Sequence, residues 1–295
     1  MLIPRFQYHS PSSLDEACEI KADLKANGSI LAGGTDLIVN MKKGVTVTKN
    51  LISLKNIKEA PLKSIISSNG KTRIGSCVTA SQLISSEHIR DTYSALAAGA
   101  ESLGSPLVRN MATIGGNLVT ARPAADLPPS LLSYKGKVIL KSVSGSREVE
   151  LDEFFTGPGK TVLNVDEILT EVILDAPPPY SGCGYIKLGT RNALEISLVN
   201  VAAFITLDSP DGTVTNARIF LGAVGPTPIR ALTAEKRLIG QKPGDELFSS
   251  AGEDAAGDSK PIDDFRGSAE YRTDMIKVLT RKALTEAFNN AKKNS

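Results

Sequence analysis

Residues 31–36 read Leu-Ala-Gly-Gly-Thr-Asp and residues 113–117 read Thr-Ile-Gly-Gly-Asn, and these two stretches decide how the sequence is interpreted. In both, apolar residues lead into a glycine pair that a polar residue follows. Glycine allows positive φ angles and a close approach of the backbone to a ligand, and successive N–H groups can converge on an anion. A helix that begins at Thr35 or Asp36 would add a dipole that favours phosphate. One such loop alone would be interpreted as a tight turn with Asp36 as a helix cap, but two of them predict a shared diphosphate site.

Other nucleotide-binding motifs are incomplete in this chain. Neither Gly157-Pro158-Gly159 nor Gly182-Cys183-Gly184 completes the Gly-x-Gly-x-x-Gly fingerprint of a Rossmann fold. Residues 159–161 imitate the end of a Walker A loop, but Phe154 stands where that motif has glycine, and Pro158 removes a backbone donor. The sequence also lacks the Gly-x-Ser-x-Gly elbow of serine hydrolases. A Rossmann site, a P-loop site and a serine hydrolase of that type are therefore excluded.

Composition and charge exclude further classes. The 295 residues carry 34 Lys and Arg against 32 Asp and Glu, and a net charge of +2 does not favour a nucleic-acid partner. No apolar run approaches the ~20 residues that span a bilayer, and the N-terminus lacks the pattern of a signal peptide. Cys18, Cys77 and Cys183 are scattered and predict neither disulfides nor an iron–sulfur cluster, and His9 and His88 stand alone. We therefore expect a cytoplasmic protein without a bound metal, in which any redox chemistry needs an organic cofactor.

The pattern of apolar residues divides the chain into three units. Residues 1–55 predict alternating strands and helices, and residues 56–176 predict a second unit with a hairpin at Asn69-Gly70. The three prolines that follow mark a domain boundary, because they continue neither a helix nor an interior strand. Residues 177–295 predict three strands followed by two helices, which is an α+β arrangement. Residues 244–261 are small, acidic and rich in glycine, and predict a mobile surface connection.

Further motifs around the glycine loops resemble those of one known family, the FAD-binding medium subunits of molybdenum hydroxylases. That family includes the flavin subunits of carbon monoxide dehydrogenase and bacterial xanthine dehydrogenase. The resemblance rests on Ala-Gly-Gly-Thr-Asp-Leu at 32–37, Val-Arg-Asn-Met-Ala-Thr-Ile-Gly-Gly-Asn-Leu at 108–118 and Ala-Ala-Asp-Leu-Pro at 124–128, and on segments 154–161, 166–169, 185–191 and 222–230. It covers essentially the whole chain, and the paired glycine motifs in this order are specific to it.

The resemblance implies an α+β protein with the FAD-binding fold of the vanillyl-alcohol-oxidase (PCMH) type. In that fold two α/β subdomains, here about residues 1–55 and 56–176, grip FAD, and a C-terminal α+β domain, here residues 177–295, packs beside them. It also implies which residues bind FAD: Ile30, Leu31, Ala32, Gly33, Gly34, Thr35, Asp36, Leu37, Thr113, Ile114, Gly115, Gly116, Asn117, Asp126, Leu169 and Lys187. It implies no catalytic acid or base and no metal ligand within this chain.

These residues have different implied roles. The glycine loops would hold the diphosphate and the adenosine side, and Asp126 would accept hydrogen bonds from hydroxyls of the sugar or ribityl region. Leu169 and Lys187 would contact the flavin, whose reduced form a positive charge would stabilise. Each also has a structural alternative: a turn cap for Asp126, a core residue for Leu169 and an outward-reaching side chain for Lys187. Arg191 and Glu195 are expected to form an ordinary surface ion pair.

The implied function is electron transfer by the FAD-binding subunit of an oxidoreductase. A molybdopterin-binding large subunit would oxidise the substrate, an iron–sulfur small subunit would pass electrons to the FAD, and an acceptor such as NAD, ferredoxin or quinone would receive them. Residues 154–160 and 225–230 favour a purine or an aromatic heterocycle as the substrate. Two alternatives stay open: a self-contained flavin-dependent reductase of the same fold superfamily, and a flavin-free assembly subunit.

Overall fold

The computed structural model describes residues 3–191 and 194–294. Its strands are β1 (Gln7–His9), β2 (Gly28–Leu31), β3 (Asn50–Ser53), β4 (Ile65–Ser68), β5 (Lys71–Gly75), β6 (Lys137–Ser142), β7 (Gly145–Glu150), β8 (Phe155–Gly157), β9 (Lys160–Thr161), β10 (Ile168–Asp175), β11 (Ser181–Leu188), β12 (Val199–Leu207), β13 (Val214–Gly222) and β14 (Ile229–Arg230). Its helices are α1 (Leu14–Leu24), α2 (Leu37–Lys42), α3 (Ala60–Lys63), α4 (Ala80–Ser85), α5 (Glu87–Thr92), α6 (Ser94–Glu101), α7 (Pro106–Arg109), α8 (Ile114–Thr120), α9 (Pro128–Ser133), α10 (Leu232–Leu238), α11 (Asp245–Asp258) and α12 (Ala269–Lys293). Among these described helices, none combines the length and the apolar composition that a membrane span requires.

The N-terminal unit is a parallel sheet of three strands in the order β1-β3-β2, on which α1 packs. Helix α1 begins after Ser13, whose hydroxyl accepts the N–H of Glu16, and it buries Leu14, Ala17 and Cys18. Strand β2 leads directly into the first glycine loop, and α2 follows that loop. The strand-turn-helix order that the sequence predicts here is therefore confirmed.

The second unit is an antiparallel sheet of five strands in the order β4-β5-β10-β6-β7. Its predicted hairpin is confirmed, since Asn69 and Gly70 join β4 to β5 with φ angles of 51° and 71°, the positive values of a type I′ turn. Helices α4 to α9 belong to this unit, and its buried core includes Tyr93, Leu131 and Phe154. The second glycine loop lies in this unit, at the start of α8.

The C-terminal unit is an antiparallel sheet in the order β11-β12-β13-β14 that packs with α10, α11 and α12, so the predicted α+β arrangement is confirmed. The prediction of a mobile connection at residues 244–261 is wrong, because residues 245–258 form α11. This helix buries Ala251, Gly252 and Ala255. A Cβ at Gly252 would come within 2.5 Å of the Lys277 carbonyl oxygen of α12. The small residues therefore permit close helix packing.

Apolar packing continues across the predicted boundary after residue 176. Cys183 and Phe204 of the C-terminal sheet belong to the same buried cluster as the core of the second unit. The Arg218 guanidinium of β13 also crosses the junction, where it donates to the Leu132 carbonyl oxygen at 2.9 and 3.2 Å. The exact division into domains stays a prediction, and the units on either side of it share a packed junction.

We expect Gly182→Ala to lower the free energy of unfolding by about 3 kcal/mol, the cost of an overpacked core. Helix α12 lies directly on β11, and a Cβ at Gly182 would come 2.2 Å from the Ala287 carbonyl oxygen and 2.3 Å from the Ala291 nitrogen. The helix must therefore move away from the sheet. Urea unfolding measures the change, and Gly257→Ala, where a Cβ has open space, is the control. Equal stability of the two variants would contradict this packing.

Candidate cofactor site

A cavity of about 970 Å³ lies where the two glycine loops, the start of β10 and the C-terminal unit meet. Its volume is at the upper end for small-molecule sites and suits a large, extended ligand. The residues predicted to bind FAD all line it except Leu31, Ile114 and Lys187. Ile114 is instead fully buried in the core. Leu169 is only 4% exposed and also lines the cavity, so its two interpretations, core residue and cofactor contact, are compatible.

The first glycine loop offers free backbone donors. Gly34 has a φ of +74°, which residues with a Cβ rarely adopt. The carbonyl oxygens of Gly34 and Asp36 accept the N–H groups of Ile38 and Asn40 at 3.1 and 2.8 Å, where α2 begins. The N–H groups of residues 33–36 donate no hydrogen bond within the part of the chain that the structure describes. These residues line the cavity, so their N–H groups can serve an anionic ligand.

Gly33 and Asp36 connect this loop to the second one. A Cβ at Gly33 would lie 1.7 Å from the Met111 carbonyl oxygen, so the backbone of the first loop is pressed against the segment that leads into α8. The Asp36 side chain makes no cap hydrogen bond to α2, and the alternative of a helix cap is therefore wrong. The Asp36 carboxylate lies instead 2.9 Å from the Arg122 Nε, just beyond α8.

The second glycine loop is built differently. The N–H groups of residues 114–117 all donate to protein oxygen atoms. That of Gly115 reaches the Ser76 carbonyl oxygen at 2.9 Å, and a Cβ at Gly115 would come 2.6 Å from the Ser76 Cβ. Neither Gly115 nor Gly116 has a positive φ. The glycines here permit close packing, the free backbone donors belong to the first loop, and direct binding of FAD by this second loop stays a prediction.

Two buried polar atoms beside the second loop have no hydrogen-bond partner among the described residues. They are the Ser76 Oγ and the Asn117 Oδ1, and both residues line the cavity. A buried polar atom without a partner is costly and rare in a folded protein. Both atoms therefore fit a site that a polar ligand completes. The sequence predicts Asn117 but not Ser76, since a serine at the end of a strand carries no signal for ligand binding.

Asp126 lies in a buried network between the second and the C-terminal units. Its carboxylate lies 3.0 Å from the Lys187 Nζ, and it accepts the hydroxyl groups of Ser197 at 2.7 Å and Tyr185 at 3.5 Å. Burial raises the pKa of Asp126, while the Lys187 charge and these hydrogen bonds oppose the rise. Because Asp126 lines the cavity and all three partners belong to the C-terminal unit, both units set the position of this carboxylate.

The Lys187 ammonium group already has three acceptors. It donates to the carbonyl oxygens of Ser102 at 2.9 Å and Glu195 at 3.0 Å, in addition to Asp126. Its side chain is 11% exposed, so the alternative of an outward-reaching lysine is wrong. Contact between Lys187 and the flavin stays a prediction. To make that contact, Lys187 would have to exchange one of these three hydrogen bonds for one to the flavin. The predicted ion pair of Arg191 and Glu195 is confirmed, at 2.6 Å.

The C-terminal unit adds a rim to the cavity that the sequence did not predict. Asp264, Phe265, Arg266 and Arg272 all line it. The Asp264 carboxylate lies 2.6 Å from the guanidinium group of Arg266 and 2.6 Å from that of Arg272. Hydrogen bonds from Arg266 above all hold the pKa of Asp264 well below its ordinary value. Phe265 is 96% exposed at this rim.

Two family models match the chain. Residues 4–177 match the FAD-binding domain in molybdopterin dehydrogenase, and residues 184–287 match the C-terminal domain of the carbon monoxide dehydrogenase flavoprotein. The chain belongs to this flavoprotein family. The first match contains both glycine loops and Asp126. The predicted family, the predicted flavoprotein fold and FAD as the cofactor are thereby confirmed.

Proteins of similar length resemble this flavoprotein over nearly their whole chains. The xanthine dehydrogenase FAD-binding subunit of Escherichia coli O157:H7 is 32% identical over 95% of both chains. The carbon monoxide dehydrogenase medium chain of Hydrogenophaga pseudoflava is 30% identical over 98% of this chain and 99% of its own. A structure of that organism's carbon monoxide dehydrogenase matches with a TM-score of 0.93, at 31% identity over 98% of this chain and 99% of its own. Quinoline 2-oxidoreductase from Pseudomonas putida 86 matches with a TM-score of 0.92, at 26% identity over 99% of this chain and 100% of its own. The interpretation as the FAD-binding medium subunit of a molybdenum-dependent oxidoreductase is confirmed.

The residues around the cavity fit the cofactor of the family. The free N–H groups of residues 33–36 suit a diphosphate. The Ser76 and Asn117 atoms without a protein partner suit polar groups of the ligand. Leu103 and Leu169 line the cavity with apolar surface that suits a ring system. FAD combines these three kinds of chemical group in one molecule.

Proposed function

We propose that this flavoprotein binds FAD in the cavity of about 970 Å³, with the diphosphate against the N–H groups of residues 33–36. The observation that carries the proposal is this cluster of backbone donors, which have no partner among the described residues. Asp126 would accept a hydrogen bond from a sugar or ribityl hydroxyl, and Leu169 would contact the ring system. The proposed set is completed by residues 30–32, Leu37, residues 113–117 and Lys187.

When it is bound, FAD supplies the redox chemistry, since the flavin takes up and releases the electrons. The residues of this chain supply binding, orientation and shielding. The first loop offers N–H dipoles to the diphosphate, and Leu103 and Leu169, at 7% and 4% exposed, line the cavity with apolar surface. The pair of Lys187 and Asp126 holds a carboxylate at that wall without leaving an unpaired buried charge. We assign no proton-transfer step to a residue of this chain.

We further propose that the chain acts in the cytoplasm within a complex that contains a large molybdopterin-binding subunit and a small iron–sulfur subunit. The names of its relatives, an FAD-binding subunit and a medium chain, support a place in such a complex. Two similar proteins are named for xanthine and quinoline, which supports a purine or an aromatic heterocycle as the substrate. A third is named for carbon monoxide, so one type of flavin subunit serves different substrates. NAD, ferredoxin or quinone is the proposed acceptor.

The full-length chain is expected to purify as a yellow protein that contains FAD. Absorbance spectra and chromatography of the released cofactor distinguish FAD from FMN. Asp126→Asn removes the charge but keeps the shape, and should weaken FAD binding about tenfold, because it removes a charged hydrogen-bond acceptor. A folded chain that stays colourless and takes up no added FAD would contradict the proposal.

Co-expression with the products of neighbouring reading frames tests the complex. We expect the chain to purify with two partner proteins, one that carries molybdenum and one that carries iron and sulfide. Flavin and metal analyses of the purified complex provide the measurement. A complex with molybdenum but without flavin would favour the assembly-subunit alternative, and substrate turnover by the isolated chain would favour the self-contained reductase.

A further inference from the structure

Ser76 is fixed between the two elements that form one end of the cavity. It directly follows β5, its side chain is buried at 3% exposed, and it lines the cavity. Its N–H donates to the Thr170 carbonyl oxygen of β10 at 2.8 Å, and its own carbonyl oxygen accepts the Gly115 N–H of α8 at 2.9 Å. The backbone of Ser76 is thus held from both sides.

The glycine at position 115 leaves room for the Ser76 side chain. A Cβ at Gly115 would come 2.6 Å from the Ser76 Cβ and 2.8 Å from the Ser76 carbonyl oxygen. Any residue other than glycine at position 115 would therefore displace Ser76 from its place at the cavity. The first glycine of the second loop thus permits Ser76 to lie against α8.

The Ser76 hydroxyl has no satisfactory partner in the described protein. Its Oγ is buried and forms no hydrogen bond of ordinary geometry among the residues 3–191 and 194–294. The neighbouring Cys77 thiol interacts with this hydroxyl: burial, the larger effect, raises the pKa of the thiol, and a hydrogen bond with the Ser76 side chain lowers it. A neutral thiol is only a weak hydrogen-bonding group. The hydroxyl is therefore left without a strong protein partner, in a residue that lines the cavity.

The Asn117 Oδ1 is the second polar atom here that is buried without a partner. An amide oxygen only accepts hydrogen bonds, so it suits a ligand group that donates, whereas a serine hydroxyl both donates and accepts. A phosphate oxygen cannot donate to the Asn117 Oδ1, whereas a ligand hydroxyl can donate to an amide oxygen and accept from a serine hydroxyl. We infer that Ser76, together with Asn117, hydrogen-bonds a hydroxyl group in the ribose or ribityl part of FAD, which makes Ser76 a cofactor-binding residue. This inference rests on the proposed binding of FAD.

The substitution Ser76→Ala in the full-length chain tests the inference. We expect the dissociation constant for FAD, measured by flavin fluorescence, to rise about three- to tenfold, the effect of one lost hydrogen bond. The thermal midpoint of the FAD-free protein should be unchanged or higher, since no protein hydrogen bond is removed. A residue with a merely structural role would instead lower that midpoint. Cys77→Ala is the matched control and should leave FAD affinity unchanged.

Competition by FMN and by ADP identifies the hydroxyl. Weaker binding of FMN to the Ser76→Ala protein places the contact on the ribityl chain, and weaker binding of ADP places it on the ribose. Either result supports the inference. Wild-type affinity of the Ser76→Ala protein for FAD would overturn it, and so would an equal loss in Cys77→Ala, while the proposed FAD function would stand in both cases. Failure of the wild-type chain to bind FAD would overturn both.

Discussion

Substituting alanine for Gly33 is expected to raise the dissociation constant for FAD by at least about 100-fold, which corresponds to ~3 kcal/mol. The new Cβ would lie 1.7 Å from the Met111 carbonyl oxygen and 2.7 Å from its carbonyl carbon. Both are backbone atoms, so no side-chain rotation can relieve the overlap. The two segments must separate, and the N–H groups of residues 33–36 are then displaced at the cavity. Because anion binding by backbone N–H groups depends on converging dipoles, a small displacement removes most of their affinity for an anion.

Fluorescence titration with FAD and thermal unfolding measure these effects. The matched control is Gly157→Ala in the second unit, where a Cβ would approach only the Lys160 Cδ, at 3.9 Å. The control protein should bind FAD as the wild type does. A Gly33→Ala protein that binds FAD with wild-type affinity would show that the contact with Met111 does not hold the first loop in its binding geometry.

Glycine residues show how much of the site could be predicted from the sequence. Gly34 and Gly70 have φ angles of +74° and +71°. Such positions favour glycine because of the local backbone conformation, which a sequence pattern can predict. Gly33 and Gly115 are required for another reason, because a distant segment packs against each of them. All four are the same residue in the sequence. The pattern therefore predicted both loops but could not predict that only the first one has free N–H groups.

Contacts between distant segments account for the parts that could not be predicted. For Lys187 in an apolar strand the sequence left two expectations, an outward-reaching side chain or a contact with the flavin, and in the structure the ammonium group donates to Asp126 and two carbonyl oxygens. The small residues of α11 were interpreted as flexible, although they are small because α12 lies against them. In each case the residue type indicates that another group lies close to it, and only the fold shows which group that is.

The network around Asp126 links the cofactor cavity to the C-terminal unit. The Ser197 hydroxyl donates to Asp126 at 2.7 Å, and it accepts the Asn200 amide at 3.0 Å. The Asn200 amide also donates to the Ala125 carbonyl oxygen at 3.2 Å. Asn200 of β12 thus contacts Ala125 directly and is linked to Asp126 through Ser197. Side chains of the C-terminal unit therefore set the position of the Asp126 carboxylate at the cavity.

Lys187→Met is expected to lower the free energy of unfolding by about 3–5 kcal/mol near neutral pH, the cost of removing one member of a buried ion pair. The two side chains are only 11% and 10% exposed, so solvent screens the lost interaction little. Asp126 would keep the Ser197 and Tyr185 hydroxyls but would have no cation. The double substitution Lys187→Met with Asp126→Asn should cost less than the sum of the single substitutions, because it leaves no buried charge unpaired. Urea unfolding of the four proteins provides the cycle.

The pH dependence of this loss separates the charge of Lys187 from its packing. Burial raises the pKa of Asp126 above the ordinary value of 3.8, and Lys187 opposes that rise, so the pKa in Lys187→Met should be higher still. A carboxyl group with a raised pKa in the folded state favours folding at low pH, and this contribution is lost as the pH rises through that pKa. The stability difference between wild type and Lys187→Met should therefore shrink as the solution is acidified from neutral pH towards 3.8, because a protonated Asp126 needs no cation. A difference that stays constant over this interval would assign the role of Lys187 to its bonds with the Ser102 and Glu195 carbonyl oxygens.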